Sequence, residues 1–225
     1  GDCFGTAIID QCNICSGGNT EKIENNSLKI YNSMVVLDNE MNLLYEYNKN
    51  KLVPFGEFLP FEKYLGKIGL KKVTQGYQSF SSGKSRELIF IDDKKFNFIP
   101  LICYEIIYSG KIYPISDDTS FIINISEDGW FGNSIGPYQH FSHSIFRAIE
   151  EGKNIIRASN NGISAYIDSN GIIIDKLEST HKGVIEINNY KNSKRTFFSK
   201  FGNKIFFYFI LFYISLLFFN YKRKR

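Results

Sequence analysis

Cysteine and histidine are scarce in this sequence, with four cysteines and three histidines among 225 residues. Cys12 and Cys15 have the spacing of a redox-active pair or of half a zinc site. No second pair at metal-ligand spacing follows them, and the histidines are distant. The sequence therefore predicts neither a metal site nor a cofactor. Together with Cys3, the pair instead indicates an irregular N-terminal segment that is suited to closure by a disulfide.

The sequence also lacks a signal peptide and a strong excess of charge. Its start, Gly1-Asp2-Cys3, has neither basic residues nor an apolar stretch, so we expect the natural chain to begin upstream. The net charge is only +4, and residues 222–225 (KRKR) form the one basic run. A basic run directly after an apolar segment is typical of a helix end at a membrane surface. This pattern indicates a membrane as partner and argues against nucleic acid.

Aromatic residues are abundant by contrast, with 21 Phe and 14 Tyr, and many of the Phe residues lie near the C-terminus. Residues 205–219 contain Ser215 as their single polar residue. A full membrane span needs about twenty apolar residues, so this run is short, and a buried core helix or an interfacial helix is an alternative. Its apolar character on all faces, the tyrosines near its ends and the basic run after it favour a transmembrane helix.

Between the termini, short apolar runs separated by turns predict β-strands. Phe141, Ile145, Ala148 and Ile149 recur at helical spacing and predict one buried helix face. Because strands alternate with helices, and several strands are apolar on both faces, we expect a layered α/β sandwich. The predicted strands are residues 33–37, 43–47, 96–102, 121–125, 155–158, 163–167 and 172–174, the last two joined by an Asn170-Gly171 turn.

Cys103 stands far from the other cysteines, at the end of the apolar run 96–102. A thiol at a strand-to-helix turn lies at the mouth of an α/β sheet, where local N–H groups can face a developing oxyanion. A lone cysteine is more often an inert core residue. Position alone leaves both interpretations open, and the neighbouring motifs favour catalysis.

Several motifs follow one another in a distinctive order. They are LVPFGE within residues 47–60, LICYE at 101–105, NISEDGWFG at 124–132, GPYQHF at 136–141, RAIE at 147–150 and RASNNGIS at 157–164. In this order and spacing they closely resemble the carbon–nitrogen hydrolase domain of the apolipoprotein N-acyltransferase family. The resemblance extends from about residue 31 to the C-terminus.

The resemblance implies a nitrilase-like α-β-β-α sandwich, truncated at its N-terminus, with a Glu-Lys-Cys triad. The family's nucleophile falls on Cys103 and its lysine on Lys49, whereas Glu57 matches an additional active-site carboxylate. An ammonium such as Lys49 close to the thiol would favour the thiolate and stabilise an oxyanion. Positions that line or steady the family's site fall on Tyr104, Glu105 and Trp130.

The implied reaction moves an acyl chain from a phospholipid to the cysteine as a thioester. The chain then passes to the α-amino group of a diacylglyceryl-cysteine at the N-terminus of an apolipoprotein. A thioester suits this step, because an amine attacks it readily while the site excludes water. Both substrates keep acyl chains in the bilayer, so the resemblance implies the inner membrane, with the catalytic domain on the periplasmic face.

The chain departs from the family pattern at its start. The family's general-base glutamate lies in a Pro-Glu context after several transmembrane helices, and nothing here matches it. Glu21 and Glu24 lie in a polar, Asn-rich stretch that predicts a loop. We therefore expect a fragment or a fusion, inactive as written, with an irregular segment at 1–27, a carbon–nitrogen hydrolase domain at 28–198 and a transmembrane helix with a basic tail at 199–225.

Two other functions remain alternatives to acyl transfer. One is a nitrilase-type amidase acting on a soluble amide, and the other is a non-catalytic remnant that binds lipid or a protein partner. The apolar C-terminal run and LVPFGE favour acyl transfer over the amidase. The unmatched glutamate favours the remnant.

Overall fold

Two β-sheets form the framework of the protein. The computed structural model describes residues 8–9, 14–24, 27–69, 79–91, 96–179 and 181–223. The first sheet is antiparallel, in the order β1-β2-β3-β4, from the strands Ile8–Ile9, Ile14–Glu24, Ser27–Leu37 and Leu43–Asn48. The second sheet has the order β10-β9-β8-β7-β6-β5. Its strands β5 to β10 are Ile89–Ile91, Phe96–Ile102, Phe121–Glu127, Asn154–Asn160, Ser164–Ile167 and Ile173–Leu177.

The central strands of the second sheet are apolar on both faces because both faces are covered. Strands β6, β7 and β8 run parallel to one another. One face packs on the first sheet, where Phe98 and Ile123 share a core with Met34. The other face, which includes Ile99 and Ile122, packs against the helix α2, Gly136–Glu151. The predicted α/β sandwich is confirmed, with α2 as the outer helical layer. A short helix in the first half of the chain, α1 (Glu62–Leu65), buries no side chain.

The predicted hairpin turns are present. Asp38 N donates to Asn42 O at 3.0 Å between β3 and β4, and Asp168 N donates to Ile172 O at 2.9 Å between β9 and β10. Gly171 has φ +82°, which an Asn-Gly turn requires. The prediction for Ile149 was wrong, because this side chain is 47% exposed. Eight residues after Phe141 a helix has turned about 80° past that position, so Ile149 lies at the margin of the buried face.

The N-terminal segment is more ordered than its composition predicts. An irregular segment was expected over residues 1–27, but residues 14–24 form β2, paired antiparallel with β3. Glu21 lies opposite Ile30 and Glu24 opposite Ser27, so the predicted loop at these glutamates is also wrong. Main-chain hydrogen bonds to a neighbouring strand form a strand even where Gly, Ser and Asn give no period-two pattern. Cys3 and Cys12 lie outside the described residues, so disulfide closure of this segment stays a prediction. The domain boundaries also stay predictions.

The C-terminal helices differ sharply in burial. The short helix α3, Phe197–Phe201, is followed by α4, Lys204–Arg223, in which no residue is buried. Helix α4 is 20 residues long and is apolar enough to cross a membrane. It is longer than the apolar run 205–219 because flanking polar residues also adopt helical geometry. At 1.5 Å per residue it measures about 30 Å, the thickness of a bilayer core. The predicted apolar helix is confirmed, and its exposure is expected for a helix surrounded by lipid.

Deleting residues 204–225 is expected to release the protein from membranes without unfolding it, because α4 buries no side chain. The truncated chain should become extractable by carbonate. Its thermal unfolding midpoint should change by less than about 2 °C, the shift that under 1 kcal/mol produces at this size. A control lacking only residues 222–225 should stay in the membrane fraction. A large loss of stability on truncation would instead identify α4 as a core helix.

Candidate active site

Cys103 directly follows β6 and begins a 3₁₀ turn, Cys103–Ile107, at the carboxyl edge of the parallel strands. Its φ of +51° lies in the left-handed region, which residues other than glycine rarely adopt. The cysteine is half-buried, and among the described residues no hydrogen bond reaches its thiol. Such a conformation persists only where neighbouring groups hold it, and it clusters at functional sites.

Asn124 on the neighbouring strand β7 holds this turn. Its Nδ2 donates to the carbonyl oxygens of Leu101 and Cys103, both at 3.3 Å. Its Oδ1 accepts from Nη1 of Arg157 on β8. The carbonyl of the strained residue is therefore linked through one buried amide to a buried guanidinium.

Arg157 belongs to a polar network beneath the turn. Its Nη2 donates to Oδ2 of Asp128 at 2.7 Å, and Oδ1 of Asp128 lies 2.8 Å from Nδ1 of His140. Although burial opposes its ionisation, the His140 hydrogen bond and the Arg157 charge hold the pKa of Asp128 well below its usual range. Burial lowers the pKa of Arg157, while the charges of Asp128 and of an ionised Cys103 raise it.

Lys49, directly after β4, forms an ion pair with Glu57. Lys49 is 1% exposed, and its Nζ lies 2.9 Å from each carboxylate oxygen of Glu57. The same carboxylate accepts from Nδ2 of Asn32 and from the main-chain N of Val53, both at 2.8 Å. With these partners Glu57 is fixed in place, and it orients the ammonium group rather than moving to a substrate.

Glu105 connects the lysine segment to the cysteine turn. Its side chain is fully buried. Its Oε1 accepts from the main-chain N of Lys51 at 3.0 Å, and its Oε2 accepts from the main-chain N of Ile102 at 2.9 Å. The hydroxyl of Tyr47 donates to Oε1 at 2.8 Å, and Arg86 Nη2 lies 3.6 Å from the same oxygen. Burial and the Glu105 charge raise the pKa of Tyr47, so this hydroxyl stays a donor.

The structure thus brings four of the predicted site residues into one connected arrangement: Lys49 and Glu57 as an ion pair, and Cys103 and Glu105 in one turn. Tyr104 is half-buried, with its ring centroid 5.9 Å from that of His140. Trp130 lies in the turn Asp128–Phe131 that follows β7, and it is 60% exposed. The roles of Tyr104 and Trp130 stay predictions.

Several polar residues of the site had no role predicted from the sequence, although some of them lie within the motifs above. Asn124 interrupts the apolar run 121–125 and Arg157 the apolar run 155–158, and buried polar groups need partners, so this contrast could have marked them. Arg86 and Asn32 have no comparable signal, because their neighbours in the sequence are polar as well. The others in this set are Tyr47, Asp128 and His140.

Replacing Asn124 by alanine is expected to slow alkylation of Cys103 by iodoacetamide. The change removes the Asn124 hydrogen bonds to the Cys103 carbonyl and to Nη1 of Arg157, at a cost of about 1–3 kcal/mol in the free energy of unfolding. Urea unfolding measures the stability, and intact mass measures the alkylation rate. Asn97→Ala is the matched control. Asn97 is also buried, but it lies on β6, six residues before the cysteine, and its Oδ1 accepts from Ser120 N at 2.8 Å. Equal slowing in both variants would attribute the effect to general destabilisation.

The pH dependence of stability should report the Asp128 network. The pKa of Asp128 is lower in the folded state, so the unfolded state binds more protons as pH falls. The stabilisation is fully present above the unfolded pKa of about 4 and is lost as pH falls toward the folded value. We expect Asp128→Asn to be less stable at pH 7 and to lose less stability between pH 5 and pH 2. The exposed Asp118→Asn serves as control, and an unchanged slope in Asp128→Asn would contradict the assignment.

Comparison with known proteins finds relatives by sequence and by fold. Residues 10–188 match the model of the carbon-nitrogen hydrolase family. The apolipoprotein N-acyltransferase of Rhizobium rhizogenes is 39% identical over 158 residues, which cover 70% of this chain and 30% of that protein. Its counterpart in Rickettsia bellii is 38% identical over 210 residues, covering 93% of this chain and 41% of that protein. The chain therefore spans less than half the length of these curated relatives.

A solved structure shares the fold. Saccharomyces cerevisiae Nit3, a member of the nitrilase superfamily, superposes with a TM-score of 0.52 at 18% identity, over 74% of this chain and 56% of that one. At this level of identity the likeness concerns the fold alone.

Proposed function

This chain belongs to the carbon–nitrogen hydrolase family, and we propose that it performs the acyl-transfer chemistry of an apolipoprotein N-acyltransferase with Cys103 as nucleophile. One observation supports this most directly. The strained cysteine turn is joined through Glu105 to the segment that bears the Lys49–Glu57 ion pair. The 38–39% identity to curated apolipoprotein N-acyltransferases supports the substrate class.

In the first half-reaction, the Cys103 thiolate attacks an ester carbonyl of a phospholipid. A C–S bond forms, the carbonyl oxygen becomes an oxyanion, and the C–O ester bond then breaks. The lysophospholipid alkoxide leaves and takes up a proton. Lys49 stabilises the oxyanion, a contribution worth roughly 3–4 kcal/mol for one well-placed donor. Arg157 lies beneath the turn and supports it through Asn124, without contacting the substrate.

In the second half-reaction, the α-amino group of a diacylglyceryl-cysteine attacks the thioester. A C–N bond forms, the C–S bond breaks, and the nitrogen loses a proton as the thiolate returns. The family's general-base glutamate is the group that would accept such protons. Among the described side chains, both Glu57 and Glu105 are held by several donors, so neither is placed for that exchange.

The substrates are proposed to reach the site from a membrane. Helix α4 presents an apolar surface on all sides, which agrees with a domain held at a bilayer. We place the catalytic domain on the periplasmic face of the inner membrane. A nitrilase-type amidase for soluble amides would leave this apolar surface without a role. A purely lipid-binding remnant would give no role to Cys103 in its strained turn.

The acyl-enzyme provides the test. When this chain, extended by the family's upstream helices and Pro-Glu strand, meets phospholipid in detergent micelles, we expect a mass increase of one acyl chain on Cys103. Hydroxylamine should remove it, because it cleaves thioesters. Cys103→Ala should show no adduct, whereas Cys15→Ala should behave as the parent does. A hydroxylamine-labile adduct that persists in Cys103→Ala would eliminate Cys103 as the nucleophile.

A further inference from the structure

A cavity of about 490 Å³ lies beside the candidate site, between the hydrolase domain and the beginning of α4. Its lining comes from four separate parts of the chain, residues 50–51, 85–86, 110–113 and 201–207. Lys51 and Arg86 belong to the segments around the site, Lys111 follows the cysteine turn, and Lys204 begins α4. The cavity does not include Cys103 and has no role in the chemistry described above.

The charged residues that line the cavity are all positive. Among the cavity's lining residues four are cationic, namely Lys51, Arg86, Lys111 and Lys204, and none is acidic. Arg86 is buried and already engaged, with its Nε donating to the Tyr47 hydroxyl at 3.1 Å. The three lysines are exposed, and no ion pair holds them within the described part of the chain. Three ammonium groups around one concave space attract an anion.

The place of the cavity in the fold indicates what kind of anion binds. Lys204 is the first residue of the exposed apolar helix α4, and the end of a spanning helix lies at the level of the lipid headgroups. Phe201 and Phe207, which are 43% and 63% exposed, form an apolar wall of the same cavity. An occupant that satisfies both parts of the lining has a phosphate next to apolar chains.

We propose that this cavity binds the headgroup of an anionic phospholipid, with Lys51, Lys111 and Lys204 around the phosphate and Phe207 against the glycerol and the first methylenes. A soluble phosphate would use the lysines but not the aromatic wall. The main-chain N–H of Lys51 donates to Glu105, so the lipid is held beside the segment that bears Lys49. Lipid binding does not require acyl transfer, and only the further step of calling this lipid the acyl donor rests on the proposed function.

The test uses the full chain with Cys103→Ala, so that no acyl transfer consumes the lipid. Protein in an uncharged detergent is mixed with equal amounts of phosphatidylglycerol and phosphatidylcholine that have identical acyl chains. Native mass spectrometry then measures the lipid retained. A lysine next to an anionic lipid is worth roughly fivefold in binding. We therefore expect the triple variant Lys51→Gln, Lys111→Gln, Lys204→Gln to retain at least about tenfold less phosphatidylglycerol.

The control has the same change of charge at exposed lysines outside the cavity: Lys182→Gln, Lys191→Gln and Lys194→Gln. It should retain phosphatidylglycerol as the parent does, and circular dichroism should show that both variants are folded. Equal retention by the two triple variants, or no preference for phosphatidylglycerol in the parent, would overturn the proposal. Displacement of the lipid by an equal concentration of glycerol 3-phosphate would overturn the lipid assignment in favour of a soluble phosphate. Lipid retention without a Cys103 thioester in the separate acylation experiment would leave this site standing and count against the proposed function.

Discussion

The buried carboxylate of Glu105 is the interaction on which the geometry of the candidate site depends. It accepts from the main chain at Ile102, next to Cys103, and from the main chain at Lys51, close to the buried Lys49. A buried carboxylate is costly unless several donors satisfy it, and here the Tyr47 hydroxyl and Arg86 complete its surroundings. This requirement holds two segments, more than fifty residues apart in sequence, in one relative position.

A second buried polar network supports the Cys103 turn. Asn124 binds the Cys103 carbonyl and Arg157 binds Asn124, so the strained turn is supported from two neighbouring strands. Arg157 would be destabilising alone in the core, and Asp128 compensates its charge at 2.7 Å. Lys49 is held separately, by Glu57 on the lysine segment. The two buried cations are therefore each fixed by their own carboxylate, on different parts of the chain.

How well the sequence predicts each feature depends on the kind of interaction that forms it. The parallel strands and α2 are strongly patterned, and their apolar residues lie where periodicity predicts them, except for Ile149 at the edge of its helix face. Strand β2 was missed because main-chain pairing with β3 forms it, and side-chain pattern does not record that interaction. Lys49, Glu57, Cys103 and Glu105 came from motif resemblance. Arg86 was not found, since its role depends on a tertiary contact with Tyr47 and Glu105.

The distribution of exposed apolar surface agrees with the lipid substrates proposed above. Glu57 is fixed by its hydrogen bonds, yet the chain directly after it exposes Phe61, Tyr64 and Ile68 by 78%, 74% and 71%. A rigid polar interior beside exposed aromatic residues is an unusual combination for a protein in water, where large apolar patches mark interaction surfaces. It is expected for an enzyme whose acyl groups stay in a bilayer, because its catalytic groups must be preorganised while its surface remains compatible with lipid. Under the proposed function, helix α4 would do more than attach the domain, because the turn at Gly202 that precedes it lies against Gly110, seven residues after Cys103.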